Sequence, residues 1–129
     1  KSSDDLMMWN TESKLLMKGE EDWEVKIGGN IPPIKTNDGW FLLYHGVDAN
    51  FTYRVGAVLL DLNDPTRVLY RTKDFIQVLY RWGVVFPTVA VVKDNILYVY
   101  YGASDQWVNL ATCDFKELID FVKSNSRKK

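Results

Sequence analysis

Apolar positions along the chain recur in runs of five to eight residues rich in Val, Leu, Tyr and Trp, separated by turn-forming residues, which is the pattern of β-strands. Trp40-to-Tyr44 follows the turn Asn37-Asp38-Gly39. Tyr53-to-Asp61, Val68-to-Arg71, Thr88-to-Val92 and Ile96-to-Tyr101 read the same way, and Lys93-Asp94-Asn95 joins the last two as a hairpin turn. Only Asp114-to-Ser124 has helical spacing, with Phe115, Leu118, Ile119 and Val122 on one stripe. Asp114 is its predicted N-cap and Glu117 the capping-box partner three residues on. Ser124-to-Lys129 reads as a frayed tail. The pattern predicts an all-β chain that ends in one short helix.

An internal repeat sharpens this expectation. Asp38-Gly-Trp-Phe-Leu-Leu-Tyr-His-Gly-Val47 aligns with Asp94-Asn-Ile-Leu-Tyr-Val-Tyr-Tyr-Gly-Ala103, 56 positions on. Asp5-Leu6 and Asp61-Leu62 keep the spacing of 56, Asp114-Phe115 follows after 53 more, and Pro32 and Pro87 lie 55 apart. A unit of about 55 residues with about four short strands has the size of a β-propeller blade. The chain then holds about two blades, residues 5–60 and 61–113, with helix and tail at 114–129. Two blades cannot close a ring, so apolar flanks are expected to be exposed until the rest of a longer polypeptide, identical copies or another chain covers them. A generic antiparallel sandwich with a coincidental repeat is the simpler alternative, and the shared spacing of independent landmarks counts against it.

Composition narrows the function classes. With 129 residues, a net charge of −1, 47% apolar and 14% aromatic residues, the chain suits one folded domain and neither disorder nor a strongly basic nucleic-acid binder. The longest apolar runs, Val55-to-Leu60 and Ile96-to-Gly102, fall well short of the ~20 residues that cross a bilayer, so no membrane span is expected. Cys113 has no partner for an internal disulfide and reads as a small buried apolar residue, and with no signal-peptide pattern the expected location is cytoplasmic. The start at Lys1 rather than Met suits a trimmed or excised piece. His45 is the only histidine, which leaves no two-histidine metal site, and no metal is expected. Taken alone, His45 reads as a structural residue at a strand end and Lys26 as a solvated charge before the Gly28-Gly29 bend. Asp48 and Asp105 occupy corresponding strand ends of the repeat, suited equally to capping a turn or accepting from sugar hydroxyls. Trp9, Trp40, Tyr98 and Tyr100 read as packing, and Tyr44, Tyr53, Tyr101 and Trp107 as nearer a cleft.

Lys26-Ile-Gly-Gly-Asn-Ile-Pro-Pro-Ile34, Gly39-Trp-Phe-Leu-Leu-Tyr-His-Gly-Val47, Tyr53-Arg-Val-Gly-Ala-Val-Leu-Leu-Asp61, Phe86-Pro-Thr88 and Leu97-Tyr-Val-Tyr-Tyr-Gly-Ala103 form an ordered set, preceded by Asp4-Asp-Leu-Met-Met-Trp9. Together they resemble the later blades of the mannoside phosphorylases and related glycosidases of glycoside hydrolase family 130, over nearly the whole chain. The resemblance implies a five-bladed β-propeller, of which about 275 residues would be needed and less than half is present. It implies that inorganic phosphate is a co-substrate that attacks the anomeric carbon of a mannose-containing oligosaccharide with inversion, while an aspartic acid protonates the leaving group through a sugar hydroxyl. No cofactor is implied. By the same resemblance Lys26, His45 and Tyr53 match phosphate-binding positions and Asp105 an acid that contacts sugar hydroxyls. The catalytic aspartate and the arginines of the phosphate cradle match nothing here and are expected in missing blades, supplied by the same or another chain or replaced by a homo-oligomer.

The departures are specific. Asn30 and Val89 stand where the family has Gly, Phe75 where it has Pro, and Thr72-to-Val85 is shorter than the corresponding loop. The expectation is therefore the C-terminal part of an inverting β-mannoside phosphorylase, inactive by itself. The alternative is a non-catalytic pair of blades that self-assembles and binds glycans or protein. A hydrolase relative, in which water replaces phosphate, is disfavoured by the retention of Lys26 and His45.

Overall fold

The computed structural model describes residues 3–9, 12–76 and 84–126. Within them the chain forms β1 (Lys26–Gly29), β2 (Ile34–Lys35), β3 (Trp40–Val47), β4 (Tyr53–Leu60), β5 (Val68–Arg71), β6 (Val85–Lys93), β7 (Ile96–Ala103), β8 (Trp107–Asp114) and α1 (Phe115–Ser124), with a 3-10 turn at Asp22–Glu24. The protein is mostly β with one C-terminal helix, as the sequence pattern predicts. Two antiparallel sheets result, one in the order β1-β3-β4-β5 with β2 also on β3, the other β6-β7-β8. No helix of the described residues is long and apolar enough to cross a membrane.

The repeat has a structural counterpart. β3 and β7, which carry the aligned segments, are the central strands of their sheets. Proline lacks the N–H that a ladder needs, and both prolines 55 apart interrupt pairing: Pro32 and Pro33 separate β1 from β2, and β6 bulges between Pro87 and Val89. The β6–β7 hairpin closes through Asp94 and Asn95 at φ 51° and 61°, the positive values that a two-residue turn between right-twisted strands requires. All five predicted strands are present. The pattern misses β1, weakened by its two glycines, the two-residue β2, and β8, whose sequence WVNLATCD mixes polar residues into an edge strand.

Asp114 caps α1 as expected, its Oδ1 accepting the Glu117 N–H at 2.9 Å. The predicted frayed tail is not frayed where it is described. Asn125 O accepts from Lys73 N–H at 3.0 Å, Asn125 Oδ1 from Asp74 N–H at 3.1 Å, and Ser126 Oγ from Arg71 N–H at 3.1 Å. These backbone donors at the end of β5 lack sheet partners, and the tail supplies the acceptors. Residues 127–129 lie outside the described set.

Side chains alternate between the two faces of the first sheet. Phe41, Leu43, Val55, Ala57 and Leu59 face the second sheet and α1, packing with Val85, Leu97, Tyr101, Phe115, Ile119 and Val122. Phe41 meets Phe115 edge to face at 5.2 Å. The opposite face buries Leu42, Tyr44, Val58 and Leu60 under Trp23. Here the polar groups are closely accounted for. Tyr44 Oη donates to Glu24 Oε1 at 2.6 Å and accepts from Arg71 Nε at 3.1 Å. Glu24 Oε2 accepts the N–H groups of Glu20 and Glu21 at 3.0 and 3.3 Å. Arg71 Nη2 lies 3.0 Å from the same oxygen as an ion pair, out of line for a hydrogen bond, while Nη1 donates to Lys18 O at 2.7 Å. Burial pushes the Tyr44 phenol up to about 12, so it stays a hydrogen-bond donor at any physiological pH. Room for the phenol comes from Gly56, where an added Cβ would stand 2.4 Å from Tyr44 Cζ.

The outer face of the second sheet is open. Val89, Tyr100 and Leu110, aligned across its three strands, are 49%, 43% and 50% exposed. That is the expected exposed apolar flank. Cys113, expected to be buried, is exposed on the edge strand β8.

The buried cluster sets a stability ranking. Glu24→Ala strands the Arg71 guanidinium in the sheet interior and should cost about 3–5 kcal/mol. Tyr44→Phe removes one donor and should cost about 1–3 kcal/mol. Urea unfolding of the two variants checks the order, and equal losses would show that the ion pair does not govern this face.

Candidate functional site

The site is a matter of register. Lys26 opposes Val47, which opposes Tyr53, and one step further along the same strands Gly28 opposes His45, which opposes Val55. Residues directly opposed across an antiparallel pair share a face, as do residues two apart along a strand. Lys26, His45 and Tyr53, on three adjacent strands, therefore lie on one face of the first sheet and at one end of it, with alternate residues about 7 Å apart along a strand. This is the face turned toward the second sheet.

His45 is half-buried. Its ring sits 4.7 Å from the Phe86 ring and 5.5 Å from the Tyr53 ring, measured between centroids, with Phe86 and Tyr53 6.2 Å apart. Below it lies bare backbone, since a Cβ on Gly28 would stand 2.5 Å from His45 Cε1 and 2.8 Å from Nε2. Only glycine lets the imidazole lie this close to β1. The ring Nδ1 is 2.8 Å from Asn30 Oδ1. Partial burial holds the imidazole below its ordinary value of 6.5, so the ring is neutral at pH 7.

Lys26 is exposed, and its ammonium stands 5.9 Å from the Phe51 ring centroid. No carboxylate pairs with it among the described residues. Among the described residues the face thus offers one exposed cation, one held neutral imidazole and one phenol around an aromatic wall. Asp105 lies in the β7–β8 turn at φ 54°, exposed. That turn is tied to the start of β6 by Ser104 N–H donating to Val84 O at 3.0 Å, and Phe86 lies two residues beyond Val84. Asp105 is therefore on the turn beside the strand that contributes the aromatic wall.

The other candidates are settled by what they touch. Asp48 caps a turn: its Oδ1 accepts from Asn50 and Thr52 N–H at 2.8 and 2.9 Å, and Arg54 lies 3.4 Å from Oδ2. The Thr52 N–H above all, with Asn50 and Arg54, holds its carboxyl below the ordinary 3.8. Tyr44 does not line a cleft, because it points to the opposite face into Glu24 and Arg71, whereas Tyr101 lines an apolar cavity between the sheets together with Leu43, Val55 and Val85. Trp9 and Tyr100, read as packing, are 54% and 43% exposed. Phe75 packs edge-on to Trp23 at 6.0 Å and under the Arg54 guanidinium at 4.7 Å. Phe86 is the wall residue that sequence reasoning overlooked, although it opens the Phe-Pro-Thr segment. The shortened Thr72-to-Val85 loop falls partly outside the described residues. Among the described residues no group of His, Cys, Asp and Glu is placed to hold a metal.

A sequence model of glycoside hydrolase family 130, described as beta-1,4-mannooligosaccharide phosphorylase, matches residues 1–124. The chain belongs to glycoside hydrolase family 130. It is 43% identical over 127 residues to a 1,2-beta-oligomannan phosphorylase of Thermoanaerobacter sp. (strain X514), a match that covers 90% of this chain and 42% of that protein. It is 41% identical over 125 residues to a beta-1,2-mannobiose phosphorylase of Listeria innocua, covering 89% of this chain and 34% of the relative. The solved structure of a Listeria innocua beta-1,2-mannobiose phosphorylase with beta-1,2-mannobiose superposes with a TM-score of 0.72 at 35% identity, over 81% of this chain and 32% of that one. A glycosyl hydrolase from Bacteroides ovatus superposes with a TM-score of 0.66 at 30% identity, over 80% of this chain and 34% of the other. The family 130 chain thus spans 34–42% of the length of these relatives.

Protonation of His45 carries a defined sign. Its folded-state pKa is depressed, so above pH 6.5 the ring is neutral in both states and costs nothing. Below that pH the unfolded chain binds the proton first, and stability falls until the folded-state pKa is passed. An NMR titration of the single histidine should give a midpoint below 6.5, and Gly28→Ala, which displaces the ring toward solvent, should bring the midpoint back toward 6.5.

Proposed function

We propose that this chain supplies the phosphate-gripping part of an inverting β-mannoside phosphorylase built as a five-bladed propeller. Its two units at 5–60 and 61–113 would be blades of that ring, with β5 of the second unit completing the sheet of the first. The observation that carries the reading is the shared face of Lys26, His45 and Tyr53 beside Phe86. Family membership and the names of the relatives, which are phosphorylases, support it.

In this reading inorganic phosphate rests on the Lys26 ammonium and on directional donors from His45 and Tyr53. Each charge-assisted hydrogen bond contributes about 1.5–3 kcal/mol. A phosphate oxygen forms its bond to the anomeric carbon from the face opposite the glycosidic oxygen, that C–O bond breaks, and the leaving sugar takes a proton. Mannose 1-phosphate and a shortened oligosaccharide result. Asp105 accepts from sugar hydroxyls. The proton donor and further cations belong to the remaining blades, so this chain contributes binding and no catalytic acid.

The exposed row Val89, Tyr100 and Leu110 also suits a second reading, a ring of identical copies that binds glycan without cleaving it. One experiment separates the two. The chain is assayed with β-1,2- and β-1,4-mannobiose and phosphate, alone and together with the polypeptide that carries the remaining blades, and its size in solution is measured. We expect mannose 1-phosphate only from the completed assembly, with Lys26→Ala and His45→Ala each lowering phosphorolysis about 100-fold or more. Unchanged rates in both variants would overturn the assigned roles, and a monodisperse oligomer inert toward both substrates would establish the second reading.

A further inference from the structure

Among the described residues Asn30 is the one polar side chain hydrogen-bonded to the imidazole, and it stands where the family resemblance expects glycine. The chemistry of the contact contains a conflict. With Oδ1 facing Nδ1 at 2.8 Å, the oxygen can only accept, so Nδ1 must carry the proton and a neutral ring keeps a bare lone pair at Nε2. The Asn30 Nδ2 is then fully buried with no acceptor among the described residues. Orphaned buried N–H groups are rarer and costlier than under-satisfied carbonyls.

Half a turn of the amide resolves the conflict, because it exchanges the two nearly isosteric ends. Nδ2 then donates to Nδ1 and the buried donor is satisfied. The imidazole proton moves to Nε2. The ring is held for this by Gly28 beneath it and by Phe86 and Tyr53 at 4.7 and 5.5 Å, and partial burial keeps it neutral.

We propose that Asn30 is a positioning residue that donates its amide N–H to His45 Nδ1 and so fixes the Nε2–H tautomer, making an uncharged imidazole a directional donor to an oxyanion. The proposal rests on the phosphate reading for the identity of the oxyanion, but the tautomer itself does not. A neutral donor aimed by a fixed amide loses no proton to solvent over the range in which phosphate gains and loses its own. Among the described residues the charged and titratable groups on the ring's face are Lys26 on β1 and Tyr53 on β4, and neither is hydrogen-bonded to Nδ1.

Because His45 is the only histidine, a long-range ¹H–¹⁵N correlation spectrum of the full ¹⁵N-labelled chain at neutral pH reads its tautomer without assignment ambiguity. The expected result is a protonated Nε2 and a lone-pair Nδ1. Asn30→Asp, which can only accept, should move the proton onto Nδ1, and Asn30→Gly should shift the tautomer ratio about tenfold toward the mixed state, the effect of one hydrogen bond. Backbone amide spectra confirm that both variants remain folded. A protonated Nδ1 in the unaltered chain at neutral pH, or a ratio unmoved by Asn30→Gly, would overturn the proposal. Titration with inorganic phosphate then tests the phosphate reading separately. A shift of Nε2 supports both, whereas an Nε2–H tautomer that phosphate leaves unchanged keeps the Asn30 assignment and removes the anion.

Discussion

The site face depends on what is buried behind it. Tyr44 and His45 are neighbours on β3, so they point to opposite sides of the sheet. Tyr44 is fixed by three constraints at once: its hydroxyl bonds to Glu24 and Arg71, its ring stacks on Trp23 at 5.9 Å, and Gly56 makes room for it. A slip of one residue in β3 would place an imidazole among Glu24, Arg71 and Trp23 and put the phenol where His45 now sits. The buried ion pair thus acts as a register lock. Its partners, Glu24 before β1 and Arg71 at the end of β5, come from the two ends of the first sheet's sequence, so the lock closes only when the whole sheet is assembled.

The second consequence concerns the tail. α1 packs Phe115, Ile119 and Val122 into the core between the sheets, and Asn125 and Ser126 then satisfy donors at residues 71–74. Arg71 is therefore held from both sides, its guanidinium by Glu24 and its backbone by Ser126. Stability on the outer face of the first sheet and order at the C-terminal end of the helix are linked through one residue.

Much of the architecture is legible in the sequence because strands and a capped amphipathic helix are written in local periodicity. The offset of 56 between β3 and β7 is legible for the same reason, and both strands are central in their sheets. Lys26, His45 and Tyr53 stand out by motif. Their common face follows from register, which local patterns do not state. Tyr44 was misassigned because a tyrosine beside a histidine at a strand end looks alike on either face, and the choice is made by Glu24 and Arg71, 20 residues before it and 27 after. Asp48, suited by sequence equally to a turn cap or a sugar contact, is consumed by two backbone donors and an arginine. Phe86 was overlooked because its partner His45 is 41 positions away on the other sheet.

Charge arithmetic explains why such a face needs completion in the proposed reading. Phosphate near neutral pH carries between one and two negative charges. Lys26 supplies one positive charge, and a neutral His45 supplies a donor without charge. The nearest candidate for a second cation on these strands, Arg54, opposes Gly46 and so points to the opposite face, where Asp48 and the Phe75 ring engage its guanidinium. Arg71 is bound within the lock behind the sheet. An anion on Lys26 and His45 is therefore under-neutralised, and solvent or further cations must make up the difference. A second contributing surface over this face would both neutralise the phosphate and exclude the water that competes with it for the anomeric carbon. The apolar row Val89, Tyr100 and Leu110 on the second sheet gives that surface something to bury against.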